Sequence, residues 1–371
     1  MSTLLQESLV LEEIKVNGYE RVVKATDESA GLKAIICIHN TRLCRIALGG
    51  TRIYPYASFD DALTDALRLS KGMTYKSAVS ESGWGGGKSV IIADNRHKKT
   101  SLLIAFAEAV NQLKGSYICA EDLGCSLEDI AVIAKHTPYA VGVPHEKSSG
   151  DPSYYTTRGV LRGIQAACKK RLGSDSLEGV SFAIQGLGSV GRKLVDLLFW
   201  QGAQITVTDL DREKADFLAK LYGVKVVEPE AIYEESCDVF SPCAMGAILN
   251  PSTVGRLSCK VVAGAANNQL LSEEDGEELM KRGILYAPDF VINAGGLINV
   301  SEETTEDGYH PARSRKKVDK IYDQLMTIFD IAAQSKISTS KAAERLAEYR
   351  LQYQIGRRVD PVYLHHASYS Y

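Results

Sequence analysis

An α/β protein of two domains is what the sequence predicts, and three observations predict it. Short apolar runs alternate with helix-length amphipathic segments over most of the 371 residues, the pattern of mostly parallel strands covered by helices. The run Ser148-Ser149-Gly150-Asp151-Pro152-Ser153 gathers turn-forming residues ahead of a long helical pattern, which makes it the expected hinge. Beyond it, the apolar stretch Val180–Gln185 leads directly into Gly186-Leu187-Gly188-Ser189-Val190-Gly191 and a helix, a strand, glycine turn and helix in the order of a phosphate-binding turn.

Each element follows from local chemistry. Leu32–Ile38 reads as a strand. Ser58 with Asp61 three positions on forms a capping box, after which Phe59, Leu63, Ala66, Leu67 and Ser70 share one face until Gly72, where the helix is expected to end. A second helix at about 101–113 turns Leu103, Phe106, Ala109, Val110 and Leu113 inward and stops at Gly115. Strand 116–120 then delivers Ala120-Glu121-Asp122-Leu123-Gly124 at its C-terminal end, the end at which alternating α/β folds bind ligands. After the hinge come a helix at about 155–172 ended by Gly173, strand 180–185, helix 188–201, strand 204–209, helix 212–222, and strands near 237–241, 259–264 and 284–287. Two helices follow from about Lys316, then a polar, Tyr-rich tail. The expected division is 1–147 for the first domain and 148–325 for the second, with the C-terminal helices and tail of 326–371 packing back towards the first.

Composition excludes several classes of function. A chain that is 45% hydrophobic and 24% charged is an ordinary globular protein with enough residues for two cores. Its formal charge of -3 provides no field to hold nucleic acid or an anionic membrane. Met1-Ser2-Thr3-Leu4-Leu5-Gln6-Glu7 has no basic region ahead of an apolar stretch, and no apolar run approaches the roughly 18 residues of a membrane span. A cytoplasmic location is expected. Eight cysteines without a C-x-x-C pair read as reduced core residues, and the seven histidines are scattered, so no structural metal is expected.

The chemistry concentrates at Lys76 and Lys88. Lys88 directly follows Gly85-Gly86-Gly87, which let backbone and ligand approach closely. Gly87-Lys88-Ser89 also matches the end of a P-loop, but that motif requires a glycine where this chain has Ser82. A lysine near a second cation has a lowered pKa, because each charge disfavours the other, and its neutral amine can then act as a base or nucleophile. In the plainer reading Lys76 is a surface residue after a helix, and Lys88 opens the strand Ser89–Ile92.

Within the glycine turn, Gly186 permits the tight bend, Gly188 lets a pyrophosphate reach the helix N-terminus and Gly191 lets helix pack on strand, with Leu187, Ser189 and Val190 between them. The next strand ends at Asp209, whose carboxylate can accept from the ribose hydroxyls and repels a 2′-phosphate. NAD is therefore preferred over NADP, although Arg212 lies nearby. The same turn can also close between packed elements without a ligand.

Seven segments carry a resemblance. They are Leu48-Gly49-Gly50-Thr51-Arg52, the run from Asp65 to Lys76, Gly85-Gly86-Gly87-Lys88, Ala120-Glu121-Asp122, the run from Asp238 to Ala244, the run from Gly264 to Leu270, and the run from Ala287 to Gly296. Over roughly residues 30–305 the chain resembles the leucine, valine and phenylalanine dehydrogenases of the amino-acid dehydrogenase superfamily, which includes glutamate dehydrogenase. The resemblance implies a substrate-binding and oligomerisation domain followed by a Rossmann-type doubly wound dinucleotide-binding domain, with a cleft between them, in a homo-oligomer. It implies reversible oxidative deamination of an L-amino acid to a 2-oxo acid and ammonia, with NAD taking the α-hydride. By the same resemblance Lys76 binds the substrate carboxylate, Lys88 is the general base that activates water, and Asp122 exchanges protons with the amine. Gly49 and Gly50 border the substrate, Asn268 and Asn293 orient nicotinamide ribose and substrate amine, and Thr156 holds the nicotinamide amide.

Leu48, Ala120, Leu297 and Val300 would line the side-chain pocket. Such a pocket strands the carboxylate of glutamate without a partner, while leucine is favoured over valine and isoleucine only by family frequency. Phenylalanine or tryptophan remains open as the substrate. Three positions depart from the family pattern: Gly83-Trp84 stands where relatives carry Asn-Leu, Arg45-Ile46 where they carry Gly-Pro, and Arg158 where they often carry Tyr. These departures and the unusual tail leave room for a non-catalytic nucleotide-binding protein on the same fold. A 2-hydroxy-acid dehydrogenase would need a histidine in a motif context, and none is present.

Overall fold

The computed structural model describes residues 8–96 and 98–365. These fall into two compact units: the chain up to Gly150 with Val300–Pro311 and the segment from Glu348, and a second unit of Asp151–Asn299 with Ala312–Ala347. The expected C-terminal block 326–371 is thus divided, its helical part to Ala347 belonging to the second unit and residues 348–365 to the first. The N-terminal segment Met1–Glu7 and the end of the Tyr-rich tail lie outside the described residues.

In the first unit the elements are β1 (Leu9–Glu13), β2 (Arg21–Asp27), β3 (Leu32–Asn40), β4 (Ala47–Tyr54), α1 (Phe59–Ser80), β5 (Gly85–Ile92), α2 (Thr100–Gln112), β6 (Tyr117–Ala120) and α3 (Leu127–Ala134). Among the described residues the strands form one six-stranded sheet in the order β1-β2-β3-β5-β4-β6. Strands β1, β2, β3 and β5 pair antiparallel, whereas β5, β4 and β6 run parallel. Helices α2 and α3 cover an apolar layer centred on Ile36, Ile53, Ile91, Phe106 and Tyr117. A smaller cluster of Val22, Ile35, Val90, Ala62 and Ala66 lies under α1.

Helix α1 corrects the expected stop at Gly72, since it runs on to Ser80 and ends at Glu81, which adopts left-handed backbone at φ 52°. Glycine inside a helix costs about 1 kcal/mol relative to alanine. Packing outweighs that cost: Ala62, Ala66, Ser70, Thr74 and Ala78 recur every four residues as a buried stripe of small side chains, and Gly72 lies off it. Lys76 is therefore inside a helix rather than beyond one. The glycine triplet is likewise strand, not approach loop, because β5 begins at Gly85.

The second unit contains α4 (Ser153–Leu172), β7 (Ser181–Gln185), α5 (Ser189–Phe199), β8 (Gln204–Thr208), α6 (Arg212–Tyr222), β9 (Lys225–Val226), β10 (Val239–Pro242), β11 (Val261–Val262), α7 (Glu273–Lys281), β12 (Leu285–Tyr286) and α8 (Asp289–Ile292). They are followed by α9 (Gly295–Ser301), α10 (Pro311–Asp319), α11 (Ile321–Ser335) and α12 (Thr339–Gln352), three helical segments after residue 310 where two were expected. The six strands are all parallel in the order β12-β11-β10-β7-β8-β9. Renumbered within the unit, this is the 3-2-1-4-5-6 arrangement of a doubly wound sheet, whose direction of winding reverses between β7 and β10. Among the described residues no helix is long and apolar enough to cross a membrane.

Candidate active site and dinucleotide cradle

The middles of β4 and β5 and the C-terminal end of β6 bring the reactive side chains of the first unit together. Pairing sets Leu48 beside Gly86 and Ile118, Gly49 beside Cys119, and Gly50 beside Ala120. A Cβ placed on Gly50 would lie 2.8 Å from the Asp122 Cβ and 3.1 Å from the Lys88 Nζ, so glycine there lets both side chains pack directly against the strand. At Gly49 a Cβ would collide with the Gly87 carbonyl, at Gly86 with Thr74 of α1, and at Gly87 with the Tyr117 ring. The glycines thus serve close contact between strands and helix, and the strand they form aims Lys88 at Asp122. Leu48 is 2% exposed, while Ala120 is half-buried at the end of β6 and Lys76 half-buried on α1.

Lys88 is 5% exposed, and its Nζ lies 2.9 Å from the Asp122 Oδ2. Burial pushes its ammonium below the ordinary lysine value, with Asp122 pulling the other way. Burial raises the Asp122 carboxyl, but the Lys88 and Arg52 cations outweigh it and hold that group down at about 2. Asp122 is therefore ionised at neutral pH, and Lys88 is the group nearer to changing charge.

Sequence reasoning assigned no role to Arg52, which the structure places at this centre. Its Nε donates to the same Asp122 Oδ2 at 3.0 Å, and its Nη1 donates to Asp65 of α1 at 2.8 Å. Asp65 also accepts from the Tyr56 hydroxyl at 2.5 Å and from Arg68 at 3.0 Å. The signal was available: on a strand, residues two apart share a face, so Arg52 shares one with Gly50.

In the second unit the glycine turn closes as its sequence requires. Gly186 sits at φ +96° with Ala244 against its α-carbon, and a Cβ on Gly191 would coincide with the Gly186 carbonyl. At Gly188, the residue capping α5, a Cβ would meet nothing within 4 Å, so that face of the helix N-terminus is open. Asp209 follows β8 and accepts from the Leu187 N–H at 2.6 Å and from the Asp211 N–H at 2.8 Å. Arg212 is turned into ion pairs with Asp216 at 2.9 Å and Glu228 at 2.7 Å.

Asn293, at the end of α8, donates from Nδ2 to the Asn267 side chain at 2.7 Å and to the Ala265 carbonyl at 3.1 Å. Among the described residues its buried Oδ1 has no hydrogen-bond partner. An unpaired buried acceptor costs about 1–3 kcal/mol, so it fits a bound N–H donor. Asn268 is half-buried at φ 50°. Thr156, in the first turn of α4, donates to the Pro152 carbonyl at 3.1 Å and would touch a Cβ on Gly296 at 2.8 Å. Leu297 and Val300 are half-buried on α9. The open glycine cradle, the carboxylate at the end of β8 and the unpaired Asn293 acceptor together suit a dinucleotide.

The three departures resolve into structure. Trp84 is fully buried, donates from Nε1 to the Ser301 Oγ at 2.9 Å, and has the Arg358 guanidinium 5.1 Å from its ring. Arg45 is exposed in left-handed backbone at φ 64°, a conformation that glycine adopts more readily. Arg158 forms a two-pronged pair with Asp319 of α10 at 2.8 Å for each contact.

Comparison with known proteins agrees with this architecture. The Glu/Leu/Phe/Val dehydrogenase dimerisation domain matches residues 16–139, and the Glutamate/Leucine/Phenylalanine/Valine dehydrogenase domain matches residues 206–354. Leucine dehydrogenase of Thermoactinomyces intermedius is 48% identical over 336 residues, covering 90% of this chain and 91% of that protein. L-tryptophan dehydrogenase of Nostoc punctiforme is 45% identical over 344 residues, covering 92% and 96%. The crystal structure of L-tryptophan dehydrogenase from Nostoc punctiforme superposes with a TM-score of 0.79 at 44% identity, covering 91% of this chain and 97% of that one. With two domain models matched in order and identity above two-fifths over nine-tenths of its length, the chain belongs to the glutamate/leucine/phenylalanine/valine dehydrogenase family of amino-acid dehydrogenases.

Proposed function

We propose that the protein catalyses reversible, NAD-linked oxidative deamination of an apolar L-amino acid, leucine before valine and isoleucine, to the 2-oxo acid and ammonia. The observation that carries the reading is the buried Lys88–Asp122 pair, packed directly against Gly50. Its two groups suit the two proton-transfer duties: Lys88, depressed by burial, as the base that draws a proton from water, and the ionised Asp122 as the group that takes a proton from the substrate ammonium. Lys76 supplies the cation for the substrate carboxylate. When bound, NAD accepts the α-hydride. Gly186, Gly188, Gly191 and Asp209 would hold its adenosine and pyrophosphate, and Asn268, Asn293 and Thr156 its nicotinamide half. The Asp209 carboxylate and the engagement of Arg212 by Asp216 and Glu228 favour NAD over NADP, since a 2′-phosphate would meet an anion and no uncommitted guanidinium. We assign the protein to a cytoplasmic homo-oligomer.

An aromatic substrate is the second reading, favoured by the L-tryptophan dehydrogenase relative. Apolar pockets separate substrates differing by one methylene by only about 1–3 kcal/mol, so Leu48, Ala120, Leu297 and Val300 do not decide between them. Against a non-catalytic nucleotide binder stand the relatives, which are dehydrogenases, and Trp84, one of the departures behind that reading, which is an internal packing residue. The test is initial rates of nicotinamide reduction with leucine, valine, isoleucine, phenylalanine, tryptophan and glutamate, each with NAD and NADP. The expected order puts leucine first, glutamate last and NAD above NADP; a tryptophan or phenylalanine maximum would move the assignment to the aromatic reading.

A further inference from the structure

Arg52 is the charged residue of this centre that the deamination reading leaves without a task. It is mostly buried on β4, and its guanidinium spans two carboxylates, Asp122 through Nε and Asp65 through Nη1. Asp65 is itself held from behind by the Tyr56 hydroxyl and Arg68. Both cations on Asp122 make their closest approach to one oxygen, Lys88 at 2.9 Å and Arg52 at 3.0 Å from Oδ2, and among the described residues Oδ1 accepts no hydrogen bond. A carboxylate pinned at one oxygen has its second aimed by the first, and a guanidinium fork fixes direction in a way that a single ammonium does not.

We propose that Arg52 is a positioning residue, braced on Asp65, that fixes Asp122 through Oδ2 and presents Oδ1 as the atom that exchanges the substrate's proton. The inference rests on the deamination reading. In the step, a proton passes from the substrate ammonium to Oδ1, leaving a free amine and a neutral carboxyl, and the proton returns to nitrogen as ammonia departs. The groups facing Asp122 are Lys88 from β5 and Arg52 from β4, with Asp65 and Tyr56 behind Arg52; the Tyr117 hydroxyl and the Cys125 thiol are held neutral by burial. Losing the guanidinium's grip therefore removes one of the hydrogen bonds that keep Asp122 ionised, even where a positive charge is retained.

The experiment compares the full chain with Arg52→Lys, Tyr56→Phe and Asp122→Asn, measuring kcat, KM for NAD and the pH profile of kcat/KM for the amino acid. Lysine keeps the charge but cannot grip both carboxylates. The expected result is a kcat lower by about 10–100-fold, the scale of a misaimed group, with KM for NAD unchanged and the Asp122 limb, which lies on the acid side of the Lys88 limb, displaced to higher pH. Tyr56→Phe, which loosens only the brace, gives a smaller displacement in the same direction and carries the test should Arg52→Lys not fold. Wild-type kcat and pH profile in folded Arg52→Lys, or in Tyr56→Phe where it alone folds, overturn the inference. If the unmodified chain turns over no amino acid, or Asp122→Asn works as well as wild type, the deamination reading fails as well; loss of activity in Asp122→Asn beside a normal Arg52→Lys overturns only the role of Arg52.

Discussion

Replacing Lys88 by Ala lowers kcat for amino-acid oxidation about 10²–10⁴-fold, the usual contribution of a positioned acid or base. The fold survives the change, because Arg52 still pairs the Asp122 oxygen that Lys88 vacates. Dinucleotide binding is unaffected, so KM for NAD stays within a few-fold of wild type. The pH profile carries a second signature. Burial lowers the Lys88 pKa from the ordinary lysine value, and the base must be neutral, so wild-type kcat/KM rises with pH on a limb below that of a free lysine, near 10.4. In Lys88→Ala the limb disappears. Steady-state kinetics over the accessible pH range check both parts, and an unchanged kcat with the limb intact would remove the assigned role.

Trp84→Ala destabilises the protein by about 3–5 kcal/mol, the range for deleting a fully buried large aromatic. Its indole is among the largest wholly buried side chains, and it links the start of β5 to Ser301 and Arg358 within the first unit. Trp84→Phe retains most of the volume and loses the Nε1–H bond to Ser301, at a cost of about 1–2 kcal/mol. Denaturant unfolding followed as a change in midpoint at constant slope measures both. Since Trp84 faces the interior rather than a substrate, the ratio of leucine to phenylalanine turnover in Trp84→Phe stays at its wild-type value. A changed ratio with little loss of stability would show that Trp84 shapes substrate choice.

Much of the centre was legible in the sequence where chemistry and local geometry coincide. The strand, glycine turn and helix around Gly186–Gly191 could be placed because Gly186 and Gly191 answer contacts that any side chain would obstruct, while Gly188 leaves the helix N-terminus open. Lys88 and Asp122 could be singled out because one directly follows the glycine triplet and the other follows an apolar strand, and the structure brings them within an ion pair. What escaped was set by packing across elements. Gly72 carries a stop signal, yet the stripe from Ala62 to Ala78 continues beneath it and buries enough surface to carry the helix through. Gly85–Gly87 look like a loop because glycine disfavours strands, but the Ile46 and Asn40 carbonyls crowd Gly85, Thr74 of α1 crowds Gly86 and Tyr117 of β6 crowds Gly87, leaving room for nothing larger. Arg52 and Asp65 lie on different elements, and only the folded chain pairs them.

One measurement addresses the proposed chemistry most directly: incubating the purified protein with leucine and NAD and assaying reduced nicotinamide, ammonia and 2-oxo acid from the same sample. Hydride transfer followed by hydrolysis of the imine predicts the three products in equal amounts, with the reverse reaction consuming all three. Reduced nicotinamide without ammonia, or no product from any apolar amino acid in either direction, would contradict it.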